Sequence, residues 1–190
     1  SNAIVATAAD RAWEIIRNAF DQGYDRLFVT TDELAATHAP LLRTMAQTIP
    51  EWYVRLAPEE RPILEAYSRA DAFRENLSER VDVMVDKLNF RSFYVGFEAF
   101  TDISLKAMNK GLNARANNSG DMAYYNFKAC EEISRRGSRV KGGAIITHLG
   151  ITPELMERNY ELMSEMLHKY ADHFEELSFG TLVAIPGSHS

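Results

Sequence analysis

Apolar positions recur every three or four residues along most of the chain. Ala12, Ile15, Ile16, Ala19 and Phe20 fall on one face of a helix from Ala8 to about Tyr24, and Gly23 suits its end. Thr30 and Glu33 read as a capping box ahead of Leu34, Ala35, Leu41, Leu42 and Met45, with Pro40 kinking or dividing that helix. Ile49-Pro50-Glu51-Trp52-Tyr53 begins a further short piece, and Pro58 and Pro62 punctuate the next segment. Ala72, Phe73, Leu77, Val81, Met84, Val85 and Leu88 predict a long helix. From Phe90 to Asn109 the residues Phe90, Phe93, Tyr94, Phe97, Phe100, Leu105 and Met108 converge on one side, predicting a central helix. Residues Gly111 to Gly120 read as a loop, with Ser119 or Asp121 capping a helix from Met122 to Arg136, and Gly137, Gly142 and Gly143 bracket a second break.

The last helix starts at Thr152-Pro153-Glu154 and is expected to run to about Leu177. Its seam, Met156, Tyr160, Met163, Leu167, Tyr170, Phe174 and Leu177, follows alternating four- and three-residue steps. No strand alternation longer than a few residues and no internal repeat is evident. The pattern predicts an all-α fold, one helical domain over residues 4–178 with about six to eight helices, followed by an irregular tail over 179–190. Ser1-Asn2-Ala3 reads as the scar of a cleaved expression tag, and Ile4 in place of Met suggests a piece of a longer protein.

Composition narrows the function more than the fold. The 190 residues are 46% hydrophobic and 25% charged, enough for a sizeable core. Twenty-one basic against 27 acidic residues leave a net charge of −6. Such a surface repels phosphate backbones and anionic lipid, which argues against nucleic-acid and membrane partners. Cys130 is the single cysteine, so no internal disulfide and no cysteine-rich metal site can form, and no apolar run reaches the roughly 20 residues that span a bilayer. A cytoplasmic protein is expected.

Candidate chemistry is sparse. The aromatic face of Phe90 to Phe100 suggests an apolar ligand site against Phe93, Tyr94, Phe97 and His173, with Glu98 and Tyr94 as polar handles at its edge. Leu155, Leu162 and Met166 widen the last helix's seam on one flank, and the wide face suggests a homodimer formed by that helix and its two-fold mate. Glu165 and His168 have the Glu-x-x-His spacing of di-iron bundles, but they turn away from the seam and no second pair exists, so no metal site is expected. Arg135, Arg136, Arg139 and Lys141 form the one dense basic cluster. No glycine-flanked nucleophile, phosphate loop or dinucleotide fingerprint occurs, and Cys130 lies in an apolar helical pattern, so the chain reads as a non-enzyme.

The stretch Gly142-Gly143-Ala144-Ile145-Ile146-Thr147-His148-Leu149-Gly150-Ile151-Thr152-Pro153-Glu154 resembles the junction after the proximal helix in globin-coupled sensors, where a Gly-x-x-His-x-x-Ile-Gly-Leu-x-Pro pattern precedes a long helix. Gly143, Leu149, Gly150, Ile151 and Pro153 match that register. The segment from Asp32 to Leu56 is similar to the first core helices of those sensors. The resemblance implies a globin-like sensory domain. Ile146 stands where the haem-ligating histidine belongs, and His148 lies two residues on, so the implied domain holds no haem or other cofactor. It would bind an apolar small molecule and signal to an output region. The alternatives are a helical interaction or effector domain and the ligand-binding domain of a transcription regulator.

Overall fold

Parallel strands, not helices, organise the chain. The computed structural model describes residues 2–30, 34, 38–73, 78–108 and 124–181. Within them β1 (Arg26–Val29), β2 (Ile63–Arg69), β3 (Phe90–Glu98), β4 (Arg139–Thr147) and β5 (Phe174–Thr181) form one sheet in the order β1-β2-β3-β4-β5, every pair parallel. Helix α1 (Asn2–Asp21) precedes the sheet, and α2 (Ala39–Gln47) and α3 (Glu51–Arg55) connect β1 to β2. Helix α4 (Ser78–Asp82), prolonged by a π-helical turn over Val83–Lys87, leads into β3. Helices α5 (Asp102–Ala107) and α6 (Tyr124–Ser134) join β3 to β4, and α7 (Pro153–Lys169) joins β4 to β5. The expected Thr30–Glu33 capping box, Leu77, the 111–120 loop with its caps, residues 182–190 of the tail and the side chain of Ile146 lie outside the described residues.

The all-α, globin-like expectation is therefore overturned. Phe90 to Glu98, expected to open a central helix, is the middle strand. Gly142 to Thr147, expected at a globin helix junction, is strand β4, paired with β3 on one side and β5 on the other. The last helix stops at Lys169, so Phe174 and Leu177 of its expected seam lie in β5 instead, as do the first three residues of the expected tail. The physical reason is that β3 lies inside the sheet, apolar toward the helices and carrying Ser92, Tyr94 and Gly96 on its other face, so its apolar–polar alternation is weak. In β3 the helix-facing Phe93, Val95 and Phe97 are fully buried, and Ser92 and Gly96 on the opposite face are buried too. Phe90, Phe93, Tyr94 and Phe97 then satisfy a helical spacing by composition alone.

Where local signals govern an element, it forms as its residues dictate. The Thr152 side chain accepts the Leu155 N–H at 3.2 Å, and Pro153 occupies the first turn of α7. Gly23, just past α1, has φ +90, a conformation that a side chain would strain.

Crossovers between parallel strands are right-handed in nearly all proteins, and when strands follow one another in sequence order that handedness puts every crossover on the same face. The core lies between that face and the helices: Leu64 and Ala66 of β2, Phe93 and Phe97 of β3 and Val140 of β4 are buried there. Phe73 meets Phe93 edge-on at 5.6 Å and Phe97 lies against Phe100 at 6.0 Å. Sequential parallel winding of this kind builds closed (β/α)8 barrels. Here it stops at an open five-stranded sheet whose other face carries no helix among the described residues.

Close approach on the helix side demands glycine at position 142, where a Cβ would sit 2.5 Å from Cε2 of Phe97 and 2.7 Å from Cδ1 of Leu177. A polar clamp holds α6 to α4. The Arg136 guanidinium, 5% exposed, bonds Glu132 at 2.6 Å, Asp82 at 2.7 Å and Ser78 Oγ at 2.8 Å. Burial pushes the Glu132 carboxyl upward, but hydrogen bonds from Arg136, Arg135 and Lys128 outweigh it and pull the carboxyl down to about 2. The basic cluster expected from sequence is thus spent on internal pairs: Arg135 and Arg136 on Glu132, Arg139 on the Asp172 carbonyl, and Lys141 on Glu65.

Two outcomes follow. Gly142→Val should lower stability by about 1–3 kcal/mol through overpacking, read as a lower urea midpoint. Because a carboxyl with a depressed folded value stabilises the fold above its unfolded value of about 4.3 and loses that contribution as pH falls toward 2, Glu132→Gln should cost about 2–3 kcal/mol at neutral pH. The cost should shrink toward zero in urea titrations near pH 2.

Candidate functional site

On the helix-free face, side chains from adjacent strands meet in layers, as they do inside a barrel. The layer nearest the strand N-termini is ionic. Glu65, only 5% exposed, pairs with Arg26 and with Lys141 at 3.0 Å. Lys141 also lies 3.5 Å from Glu175, which accepts from Ser92 Oγ at 3.2 Å. One carboxylate on β2 thus ties β1 to β4, and Lys141 carries the link on to β5.

The next layer is aromatic. Tyr67 and Tyr94 stack with ring centroids 5.1 Å apart and planes 19° from parallel. Ser178 Oγ donates to the Gly142 carbonyl at 3.1 Å, so its proton is engaged, and the Tyr94 hydroxyl donates to Ser178 Oγ at 2.7 Å. That assignment leaves the lone pairs of the Tyr94 oxygen as acceptors. The rings lean over glycines: a Cβ on Gly143 would lie 3.1 Å from the Tyr94 hydroxyl, and one on Gly96 would lie 3.5 Å from the Tyr67 hydroxyl.

Beyond the tyrosines, at the strand C-termini, the face opens into a cleft of about 250 Å³ whose walls include Tyr67, Tyr94, Gly96, Glu98, Gly143 and Ser178. Glu98 stands out because its φ is +61, and pairing with β4 slips between Gly96 and Glu98. A bulge at the end of a strand re-aims the side chain that follows, and a left-handed non-glycine residue persists only where its surroundings hold it. Open parallel sheets and barrels both take their ligands at the strand C-termini. Behind the rim, His148 Nδ1–H donates to the Leu149 carbonyl at 2.9 Å, so Nε2 accepts from Ser104 Oγ at 3.0 Å. Asn159 bonds Ser104 Oγ at 3.0 Å and accepts the Phe100 N–H at 2.8 Å. This hub fixes α5 and α7 to the strand ends, and Ser104 is buried within it.

Of the ligand residues expected from sequence, the structure places Tyr94 in the cleft together with Glu98. Phe93 and Phe97 project from the same strand to the opposite, helix-covered face, because neighbouring residues of a strand alternate sides. His173 precedes β5 at the far end of the sheet and donates through Nδ1 to the Ser138 carbonyl at 3.2 Å. Leu162 and Met166 are buried in the chain's own core and Leu155 is half-buried. Glu165 and His168 lie on the exposed side of α7, His168 against the Ser164 carbonyl at 2.7 Å. Tyr67, Gly96, Gly143 and Ser178 were not singled out as ligand residues from the sequence. The readable signal was the pair Gly96 and Gly143, which share one height in neighbouring strands, with Gly180 further along β5 opposite Ile145.

An open α/β sheet wound strand by strand, with its cleft at the strand C-termini, is the class of fold defined so far. Comparison with solved structures gives it a counterpart. The chain is similar to the radical S-adenosylmethionine methyltransferase TsrM from Kitasatospora setae with cobalamin and a 4Fe–4S cluster bound, with a TM-score of 0.65 and 15% identity, over 92% of this chain and 31% of that one. A structure of the same enzyme with tryptophan substrate and the analogue aza-SAM gives a TM-score of 0.61 and 16% identity, over 86% of this chain and 28% of that one. The chain spans about a third of the length of those enzymes, and the likeness shows a shared fold. No protein-family model and no curated protein matches it. These findings replace the globin sensor and its signalling role, along with the effector and transcription-regulator alternatives.

The residues present do not suit a 4Fe–4S cluster, which is held by several cysteine thiolates. Cys130 is the single cysteine, it is fully buried in α6 away from the cleft, and burial pushes its thiol well above the ordinary range. Among the described residues no group of three or more His, Cys, Asp or Glu side chains is placed to hold a metal ion, and no helix is long and apolar enough to cross a membrane.

The ionic layer underlies the cleft, so its central carboxylate is testable. Glu65→Gln should leave Arg26 and Lys141 short of their shared counter-charge and lower stability by about 1–3 kcal/mol in urea unfolding at neutral pH.

Proposed function

We propose that this chain is a small-molecule-binding sheet module of an S-adenosylmethionine-using enzyme of the methyltransferase kind, supplying binding walls and not iron–sulfur chemistry. One observation carries the reading: a bulged carboxylate residue with φ +61 and the paired glycines Gly96 and Gly143 face a cleft at the C-terminal edge of a barrel-wound sheet, where such sheets take ligands. The fold likeness to a methyltransferase that binds an S-adenosylmethionine analogue supports the choice of cosubstrate.

The chain's residues have definable tasks in this reading. Glu98 accepts hydrogen bonds from amine or hydroxyl groups, Tyr67 and Tyr94 offer ring surface, and Gly96 and Gly143 let a ligand approach the backbone. The cleft offers about 250 Å³ and is shallow and broadly open, so it takes hold of one part of a ligand and leaves the remainder outside it. The Ser104–His148 pair is closed off behind the rim and takes no part. A cytoplasmic setting suits a chain whose single thiol is buried.

Calorimetric titration with S-adenosylmethionine should give saturable binding with a Kd at or below about 1 mM, and Glu98→Ala should weaken it at least about tenfold. No heat and no NMR shift at about 5 mM ligand would overturn the cosubstrate assignment.

A further inference from the structure

The ionic layer neutralises its own charges, but two arginines at the same end of the sheet stand outside it. Arg61, just before β2, and Arg91, at the start of β3, are both half-buried, and among the described residues neither meets a carboxylate. The chain has a net charge of −6, and Arg26, Arg55, Arg69 and Arg136 each hold an acid. Two arginines left without one in so acidic a chain call for a physical reason.

Local structure holds both in place. Asn89, at the entry to β3, has φ +58, and pairing with β2 then slips so that Leu64 faces Phe90 and Glu65 faces Ser92, leaving Arg91 as the extra residue of a bulge. A bulge turns a side chain out of the strand's alternation, and a left-handed non-glycine residue persists only where its surroundings hold it. The Asn89 amide donates to the Arg61 and Pro62 carbonyls, both at 3.2 Å, and its oxygen accepts from Arg91 Nε at 2.7 Å. One buried side chain thus ties the backbone of one arginine to the guanidinium of the other. Arg61 Nε donates to the Leu56 carbonyl at 3.3 Å, and its guanidinium lies 5.1 Å from the Tyr53 ring centre. Each arginine is anchored through Nε, and the terminal N–H groups of both have no acceptor among the described residues.

Tyr53 adds a third unspent donor. It is 1% exposed, and its hydroxyl has no hydrogen-bond partner among the described residues. Burial pushes the phenol up to about 12 while Arg61 and then Arg91 pull the other way, so both cations lie close enough to act on its oxygen. Like charges held together repel, and a buried donor without an acceptor is costly, so one anion would relieve both. We infer that Arg61, Arg91 and the Tyr53 hydroxyl form a phosphate-binding clamp at the N-terminal end of the sheet, the end opposite the cleft. Two guanidinium forks and a hydroxyl offer more donors than a flat carboxylate uses and suit a tetrahedral oxyanion. The clamp does not rest on the reading of the cleft.

Amide NMR titration of the whole chain with inorganic phosphate at constant ionic strength should move resonances around Asn89 to Ser92 and give a Kd of about 1 mM, with acetate at least about tenfold weaker. Phenyl phosphate tells the source of the group: tighter binding than phosphate marks an esterified phosphate and equal binding the free ion, and the clamp stands on either result. Arg61→Gln and Arg91→Gln should each weaken phosphate at least about fivefold. Lys106→Gln removes one exposed positive charge from α5, at the other end of the sheet, and should change affinity less than about twofold. Arg61→Lys keeps the charge without the fork and should also lose affinity. Tyr53→Phe should weaken phosphate about threefold yet raise the urea midpoint in phosphate-free buffer, because it deletes an unpartnered buried hydroxyl. Circular dichroism checks the fold of each variant, and if Arg61→Gln fails to fold, Arg61→Lys and Arg91→Gln still decide. Equal binding of phosphate and acetate, an equal loss in Lys106→Gln, or phosphate affinity unmoved by Arg91→Gln or by Tyr53→Phe overturns the clamp.

Discussion

Everything else in this fold depends on the handedness of the strand crossovers. With strands laid down in sequence order and each connection turning the same way, the helices have only one face of the sheet to cover. That face becomes an ordinary core of phenylalanine, valine and leucine. The other face has no helix to bury it, so its side chains must satisfy one another. The layered arrangement of Glu65 with Arg26 and Lys141, then Tyr67 with Tyr94 and Ser178, is how they do so.

The two ends of that face differ for a reason. Near the strand N-termini the ion pairs close the surface and hold four of the five strands in place without an apolar core. At the C-termini glycine replaces side chains at matching heights and Glu98 swings outward on its bulge. A rigid, internally neutralised base therefore supports an emptied rim, and a binding cleft needs that combination: fixed walls below and room above. The Ser104–His148–Asn159 hub serves the rim in the same manner from behind, tying the loops after β3 and β4 to the helices.

Some of this was legible in the sequence and some was not. The capped start of α7 at Thr152 and Pro153 and the end of α1 before Gly23 were readable, because capping and glycine conformation are local. Burial of Cys130 agrees with its place in an apolar helical pattern, whereas the internal pairing of Arg136 with Glu132 and Asp82 was not read from the basic cluster. The strands were not readable by alternation: Phe90 to Glu98 is apolar toward the helices and semi-polar toward the cleft, and its phenylalanines mimic a helical stripe. The seam of the last helix misled for a related reason, since Phe174 and Leu177 pack on the same core as α7 but from a strand. Tyr94 and Glu98 stood out as polar members of an aromatic run. Their partners Tyr67, Gly143 and Ser178 come from segments far apart in the chain, and only the register of the sheet brings them together.

Sequential strand order also has a temporal side. Each strand pairs only with the strands immediately before and after it, so a new strand–helix unit finds its docking edge already built when it leaves the ribosome. Folds whose central strand comes late must hold earlier segments unpaired until it arrives, whereas here structure accretes from one edge to the other in the manner of a repeat array. The cleft draws its walls from β2 through β5, so it comes into being only with the final strand. Binding competence is in this sense the last property the nascent chain acquires, and a ligand present during synthesis meets a closed ledger of contacts only after Ser178 has reached Tyr94.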